Sequence, residues 1–110
     1  MTGAGISTHV LDTTRGAPAA GVAVTVNRRE GRDLVLVGSG TTGEDGRVAN
    51  LLTAELMPGW YQLVFDLAPY YGSQPHFFSR VTLDVAIAEA RQHHVPLLIS
   101  PFSCSSYRGS

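Results

Sequence analysis

The stretch Ser79-Arg80-Val81-Thr82-Leu83-Asp84-Val85-Ala86-Ile87 decides the fold class, because from Val81 onward every second residue is a large aliphatic one. Side chains of a β-strand point alternately to opposite faces, so this pattern predicts a strand with one buried face. The stretch 22–28 has the same period, beginning with valines at every second position. Together they predict an antiparallel β-sandwich or barrel.

Turn signals separate the other apolar runs at short intervals. Examples are Gly43-Glu44-Asp45-Gly46, Pro58-Gly59 and Gly72-Ser73-Gln74-Pro75, which are rich in residues that favour turns. The runs between the turns predict strands near 6–12, 22–29, 33–40, 46–51, 60–66, 77–87, 92–99 and 103–107. One short helix is predicted at 66–71, with a helical turn at 86–90 as the alternative.

No internal repeat or linker divides the chain, so we expect one domain over residues 1–110. A chain of 110 residues can form a real core, although it buries only about two-thirds of its unfolded surface. The expected fold is all-β, an antiparallel sandwich of about eight strands with one short helix.

The low charge of the chain predicts association with other subunits. Charged residues are 15% of the chain, against roughly a quarter in an average soluble domain. Burial of surface against other subunits compensates for a shortage of polar surface. The predicted strand at 94–99 is apolar on both faces, as expected for a strand covered inside by the sandwich and outside by a neighbouring subunit.

Several classes of partner and location are disfavoured by composition. The formal net charge is −1, and the only basic group, at 28–32, is interrupted by Glu30, so a nucleic-acid partner is not expected. No apolar run is long enough to span a membrane, and the first residues lack the features of a signal peptide. The single cysteine, Cys104, excludes an internal disulfide. We therefore expect a cytoplasmic protein without membrane contact.

The polar groups that could perform chemistry are few. None of the common zinc-protease, phosphate-binding or serine-hydrolase motifs is present. His93 and His94 point to opposite faces of their predicted strand, so they are poorly placed to bind one metal. Hydrogen-bonded or surface imidazoles are the better interpretation of His76 and His93. His9 and His94 differ because each interrupts an apolar strand, and Arg47 opens another one. Spacing alone does not favour a functional cluster of His9, Arg47 and His94 over structural roles.

Three motifs resemble the transthyretin-related 5-hydroxyisourate hydrolases. The first is Ser7-Thr8-His9-Val10-Leu11-Asp12-Thr13-Thr14-Arg15-Gly16-Ala17-Pro18-Ala19, and the second is the turn Asp45-Gly46-Arg47. The third is the ending, His94-Val95-Pro96-Leu97-Leu98-Ile99-Ser100-Pro101-Phe102 with Tyr107-Arg108-Gly109-Ser110. The terminal tetrapeptide is specific, since the related hormone-carrying transthyretins lack it. The resemblance implies a transthyretin-like, or prealbumin-like, sandwich.

The resemblance also implies a site and a reaction. The implied substrate is 5-hydroxyisourate, the product of urate oxidation, and one of its ring amides is hydrolysed without a cofactor or metal. The implied assembly is a homotetramer with sites between subunits. The implied catalytic residues are His9, Arg47, His94 and Ser110, and the implied substrate-binding residues are His9, Arg47, Tyr107, Arg108 and Gly109.

The chemistry of these residue types suits that reaction. Arg47 offers a planar pair of donors for adjacent oxygen and nitrogen atoms of a heterocycle. Histidine can accept a proton from water near neutral pH, and either His9 or His94 can fill this role. Ser110 is expected to position the water, with a nucleophilic role as the less attractive alternative. The sequence departs from the family pattern at Gln92, His93, Ser103, Cys104 and Ser106, none of which is an implied site residue.

Two other functional classes are alternatives. The first is a non-catalytic transthyretin-like carrier of a small aromatic ligand. The second is a structural sandwich without a ligand, for which we expect a monomer, or an oligomer whose tail is disordered. His9, Arg47 and the terminal tetrapeptide favour the hydrolase over the carrier.

Overall fold

The computed structural model describes residues 4–109, and within that range the chain forms nine strands and one short helix. In chain order these are β1 (Ile6–Asp12), β2 (Ala17–Pro18), β3 (Ala23–Glu30), β4 (Asp33–Thr41), β5 (Arg47–Val48), β6 (Gly59–Asp66), α1 (Ala68–Tyr71), β7 (Arg80–Ile87), β8 (His93–Ser100) and β9 (Ser103–Ser106). The predicted all-β sandwich is confirmed.

Two sheets enclose the core. The first has the order β2-β1-β8-β9, with β5 also paired to β1, and the second has the order β4-β3-β6-β7. Buried side chains from both sheets meet between them, including Val10, Leu63, Phe65, Leu97 and Ile99. In β7, Val81 and Ile87 are buried while the intervening Thr82, Asp84 and Ala86 are exposed, as the alternation in the sequence predicts.

One strand pair departs from the antiparallel expectation. β1 and β8 run parallel, with seven residue pairs from Ile6↔His93 to Asp12↔Ile99. Alternating hydrophobicity reports which face of a strand is buried and carries no information on the direction of its neighbour. This pairing brings the first motif of the sequence beside the last one.

The predicted boundaries are least accurate where loops replace strands. The predicted strand at 46–51 forms only two residues of strand, Arg47–Val48, and the side chain of Asn50 closes a local turn by accepting from the backbone N–H of Leu52 at 3.1 Å. The predicted strand at 77–87 begins at Arg80, because the carbonyl of Ser79 accepts from the N–H groups of Leu67 and Ala68. The two-residue strand β2 was not predicted.

The short helix lies where it was predicted. α1 spans Ala68–Tyr71, inside the predicted range 66–71, whereas residues 88–90 form no helical turn. Asp12, at the end of β1, accepts hydrogen bonds from the backbone N–H groups of Thr14 and Arg15 and from the hydroxyl of Tyr70. The helix is thereby joined to the first sheet. No helix within residues 4–109 is long and apolar enough to cross a membrane.

Candidate functional site

The outer face of the first sheet carries both histidines that interrupt apolar strands. In β1, Ile6, Thr8 and Val10 are buried, while Ser7 and His9 alternate with them and are half-buried. The parallel register places Ser7 beside His94 and His9 beside Pro96. Because paired residues in a sheet project to the same face, Ser7, His9 and His94 share the side of the sheet that faces away from the core.

Arg47 reaches this face through a tight turn. Its Cα is paired with that of His9 across β5 and β1, and its backbone N–H donates to Asp45 Oδ1 at 3.0 Å. Gly46 has a φ of +75°, and a Cβ there would lie 2.5 Å from the carbonyl oxygen of Val10. Only glycine fits this combination of backbone conformation and close approach. The glycine therefore fixes Arg47 opposite His9.

The His94 imidazole is held in an environment that keeps it neutral. Its Nδ1 lies 2.8 Å from the Ser7 hydroxyl oxygen. Burial lowers the pKa of His94 from its ordinary value of 6.5, and the neighbouring Arg47 and then His9 lower it further. A neutral imidazole retains one nitrogen lone pair at neutral pH, which a proton acceptor requires.

His9 presents a buried nitrogen without a partner. Its Nε2 is inaccessible to solvent and has no hydrogen-bond partner among residues 4–109. Buried polar atoms in proteins are nearly always paired, and exceptions are often functional. Within the described part of the single chain, this nitrogen is therefore both unpaired and closed to solvent.

The C-terminal tail is attached directly to His94. Gly109 forms an antiparallel bridge with His94, and its N–H donates to the His94 carbonyl at 2.8 Å. A Cβ at position 109 would lie 2.8 Å from His94 Cδ2, so the glycine permits the tail to lie against the imidazole ring. Ser110, the remaining predicted catalytic residue, lies outside the described residues.

A cavity of about 410 Å³ lies at this place and is lined by residues that include Ser7, Asp45, Arg47 and His94. It offers a guanidinium, an imidazole and a hydroxyl to a small polar molecule. The Arg47 side chain makes no hydrogen bond or ion pair with any residue in the described part of the chain, so its donors are available. Within that same part, no group of three or more His, Cys, Asp or Glu side chains is arranged to bind a metal.

The other predicted substrate-binding residues, Tyr107 and Arg108, line a different cavity in the single chain. This cavity has a volume of about 330 Å³ and lies between β7, β8 and the tail, with Val85 and His93 among its lining residues. Tyr107 and Arg108 are exposed. The structure thus brings together His9, Arg47, His94 and Gly109, while the side chains of Tyr107 and Arg108 lie apart from them.

The remaining histidines lie outside the His94 cavity. His93 is buried and its Nδ1 lies 2.6 Å from the Arg91 carbonyl, and the ring of His76 stacks on Tyr71 with a centroid separation of 4.9 Å. Ser7 is the site residue that sequence reasoning missed. Its only signal was its position two residues before His9, on the same face of the predicted strand.

Comparison with known proteins identifies the family of this chain. The family model described as HIUase/Transthyretin matches residues 6–109. The chain belongs to this family. The sequence-based assignment is therefore confirmed.

The proteins similar to this chain include 5-hydroxyisourate hydrolases and a thyroxine-bound transthyretin. The 5-hydroxyisourate hydrolase of Pseudomonas aeruginosa is 43% identical over 96% of this chain and 90% of its own length. The solved structure of the Klebsiella pneumoniae 5-hydroxyisourate hydrolase is similar with a TM-score of 0.84 and 33% identity, covering 99% of this chain and 100% of that one. Sea bream transthyretin, solved in complex with thyroxine, has a TM-score of 0.86 and 26% identity, covering 94% of this chain and 93% of its own.

Backbone similarity does not separate these two functions. The TM-scores for the hydrolase and for the thyroxine-bound transthyretin differ by only 0.02, from 0.84 to 0.86. A fold common to a hydrolase and a thyroxine-bound transthyretin leaves the function to be argued from its site.

Proposed function

We propose that this chain is a hydrolase that converts 5-hydroxyisourate to 2-oxo-4-hydroxy-4-carboxy-5-ureidoimidazoline in urate catabolism. The observation that carries the proposal is the arrangement of His9, Arg47 and His94 on one sheet face, with Gly109 of the terminal tetrapeptide against the His94 ring. The names of its relatives, at about 40% identity over nearly the whole chain, support the same reaction.

The substrate is a flat, polar heterocycle that carries adjacent oxygen and nitrogen atoms. Arg47 binds such atoms through two parallel N–H donors, which orients the ring and withdraws electron density from the carbonyl. A cavity of about 410 Å³ lies within the usual size range of small-molecule sites.

Hydrolysis begins when a neutral imidazole, of His94 or of His9, takes a proton from water. The resulting hydroxide forms a bond to the carbonyl carbon of a ring amide, and the Arg47 guanidinium stabilises the negative charge on the carbonyl oxygen. The C–N bond of that amide then breaks. Its nitrogen receives the proton from the imidazolium, and the former carbonyl becomes a carboxylic acid, which releases its remaining proton to the solvent and leaves a carboxylate.

The terminal tetrapeptide completes the site in this proposal. Gly109 lies against His94, and Ser110 positions the attacking water. In the assembly, Tyr107 and Arg108 bind the substrate in the site of a neighbouring subunit. This arrangement requires the homotetramer that the sequence predicts, with each site at a boundary between subunits. We propose the cytoplasm as its compartment.

The direct test is the decay of freshly generated 5-hydroxyisourate, followed by ultraviolet absorbance and corrected for the spontaneous reaction. His9→Asn and His94→Asn should each lower kcat by about a hundredfold or more, the usual loss for a general acid–base residue. His76→Asn is the matched control, since His76 lies outside the cavity, and it should retain normal turnover. A wild-type protein that does not accelerate the decay contradicts the proposal.

Removal of Tyr107–Ser110 tests the role of the tail. The deletion leaves all nine strands intact, so the loss of stability should stay within about 1–3 kcal/mol. Activity should nearly vanish, because positioning and charge stabilisation supply most of the rate. A truncated protein with normal turnover would show that the tail is not part of the site.

The alternative function is a carrier of a small aromatic ligand, as the thyroxine complex of the sea bream relative illustrates. A carrier would bind such a ligand at the same face without consuming 5-hydroxyisourate. The absorbance assay therefore separates the two functions.

A further inference from the structure

The Ser7 hydroxyl contacts the site without an assigned role. Its oxygen lies 2.8 Å from His94 Nδ1 and 3.4 Å from the backbone carbonyl oxygen of His93. Ser7 and His94 are paired across the parallel strands β1 and β8. The contact therefore belongs to the sheet itself and does not depend on a loop.

The two contacts of the hydroxyl can both be hydrogen bonds in only one assignment of protons. A carbonyl oxygen can only accept, and the hydroxyl has one proton to donate. If that proton is directed at Nδ1, the hydroxyl donates nothing to the His93 carbonyl. If Nδ1 carries the ring proton, it donates to Ser7 while the Ser7 proton remains free for the carbonyl, and both contacts become hydrogen bonds.

We propose that Ser7 is a positioning residue that holds the neutral His94 imidazole in the Nδ1–H tautomer and leaves the Nε2 lone pair as the proton acceptor of the site. The inference rests on the proposed function for its catalytic meaning. The tautomer itself does not depend on which reaction the cavity supports.

The opposite edge of the same ring is held by the tail. A Cβ at Gly109 would lie 2.8 Å from Cδ2 and 3.0 Å from Cβ of His94, so the backbone of the tail packs on the edge that contains Cδ2. Ser7 anchors the Nδ1 edge. With both edges held, rotation of the ring is restricted and Nε2 keeps a defined direction, which an efficient general base requires.

The tautomer has a consequence for catalysis. A histidine that accepts a proton through Nε2 must carry its own ring proton on Nδ1, and a hydrogen bond at Nδ1 selects that form. Free imidazole side chains exchange between both tautomers. Loss of Ser7 would therefore leave part of the His94 population with Nε2 protonated and unable to act as a base.

The experiment combines nitrogen-15 NMR of histidine-labelled protein with the kinetic assay. At a pH where His94 is neutral, the wild-type Nδ1 should show the chemical shift of a protonated nitrogen and Nε2 that of an unprotonated one. Ser7→Ala should move both shifts toward the opposite tautomer. It should lower kcat by roughly 10- to 100-fold, the range found when a group that orients a functional histidine is removed, with a smaller effect on KM.

Two further variants separate positioning from general stability. Ser7→Thr retains a hydroxyl on the same β-strand and should restore the wild-type tautomer and most of kcat. Thr8→Val removes the adjacent hydroxyl, which donates to the Val95 carbonyl at 2.7 Å in the core. It should lower the Tm while leaving the His94 shifts unchanged.

The outcomes discriminate between the two proposals. A wild-type His94 with its proton on Nε2, or a Ser7→Ala spectrum identical to wild type, overturns the role of Ser7. If the wild-type protein has no activity on 5-hydroxyisourate, the proposed function fails while the NMR result still decides the tautomer.

Discussion

At the scale of single residues, Tyr70 and Tyr71 are adjacent but their hydroxyl groups have opposite surroundings. The Tyr70 hydroxyl donates to Asp12 Oδ2 at 2.7 Å and accepts from Arg15 Nη1 at 3.2 Å. The Tyr71 hydroxyl is buried and has no hydrogen-bond partner within residues 4–109. Burial raises the pKa of Tyr71 to about 12. Hydrogen bonds thus compensate the Tyr70 hydroxyl for its lost hydration, whereas no group within residues 4–109 does so for the Tyr71 hydroxyl.

This contrast predicts opposite effects of the same substitution. Tyr70→Phe should reduce the free energy of unfolding by about 1–3 kcal/mol, since it leaves the buried Asp12 carboxylate one donor short. Tyr71→Phe should leave stability unchanged or raise it, because removing an unpaired buried hydroxyl also removes its desolvation cost. Chemical denaturation of the two variants measures both values. A larger loss for Tyr71→Phe than for Tyr70→Phe would contradict the explanation.

The electrostatics of His94 predict how activity depends on pH. Because burial, Arg47 and His9 lower its pKa below 6.5, His94 is neutral at pH 7 and becomes protonated only in more acidic solution. kcat/KM should therefore stay constant near neutrality and fall as the pH decreases through a midpoint below 6.5. The unfolded chain, with its ordinary pKa, binds the proton first, so the His94 contribution to stability is likewise lost as the pH decreases.

Arg47→Gln isolates one cause of that shift. Removing the guanidinium should raise the pKa of His94, measured by an NMR titration of its ring, but not to the ordinary value because burial remains. Asp45, which also lines the cavity, is retained in this variant. An unchanged pKa would show that Arg47 does not act on the His94 ring.

Residue identities in the site were predictable only through the family resemblance. His9, Arg47 and His94 are isolated in the sequence, and neither composition nor spacing joins them. The pairing of β1 with β8 brings Ser7 to His94 across a sequence separation of 87 residues. A serine beside a strand histidine has no chemical signature until that register is known.

At the scale of elements, the alternation of apolar residues predicted strands better than it predicted their ends. β1, β3, β4, β6 and β8 were predicted to within about two residues. β1 and β6 bury every second residue, whereas β4 is mostly exposed and its bounds follow from the turns on either side. The ends at 49–51 and 77–79 are set by local hydrogen bonds, one to the Asn50 side chain and two to the Ser79 carbonyl. Such bonds depend on where the neighbouring elements lie, which a local pattern does not encode.

The packing of the tail on β8 makes Gly109 a steric test. Its φ is not among the positive values found at other glycines, so alanine is allowed by the backbone. The three atoms nearest the added Cβ all belong to the His94 side chain, at 2.8 to 3.2 Å. Gly109→Ala should lower kcat by about tenfold or more, since sub-ångström misplacement of a catalytic group is costly. The Tm should change little.

Ser105→Ala is the matched control for this prediction, because Ser105 is exposed on the neighbouring strand β9. It should affect neither the Tm nor the rate. If Gly109→Ala is as active as this control, the tail can move away from His94 without consequence for the site.

At the scale of the whole molecule, the two sheets leave exposed edges on the same side of the chain. Within residues 4–109, β7 pairs only with β6 and β9 only with β8. The cavity of about 330 Å³ between β7 and the tail lies between these edges. Phe77 and Phe102 are 72% and 68% exposed, and the Phe77 N–H donates to the Pro101 carbonyl, which places these aromatic residues near one another. Unpaired edges and exposed aromatic side chains are features of surfaces that associate.

These surfaces, together with the low charged fraction of the chain, 15%, lead us to predict a homotetramer whose assembly is required for activity. Light scattering at micromolar concentration should give a mass near four times the 11.7 kDa of the chain.

If Tyr107 and Arg108 act in a site that neighbouring subunits complete, specific activity should fall on dilution below the dissociation range. The decrease should follow the loss of tetramer measured at the same concentrations, and bound substrate should shift both curves to lower concentration by mass action. A single-chain mass would contradict the assembly. A tetramer whose specific activity persists after dissociation would show instead that one chain holds a complete site.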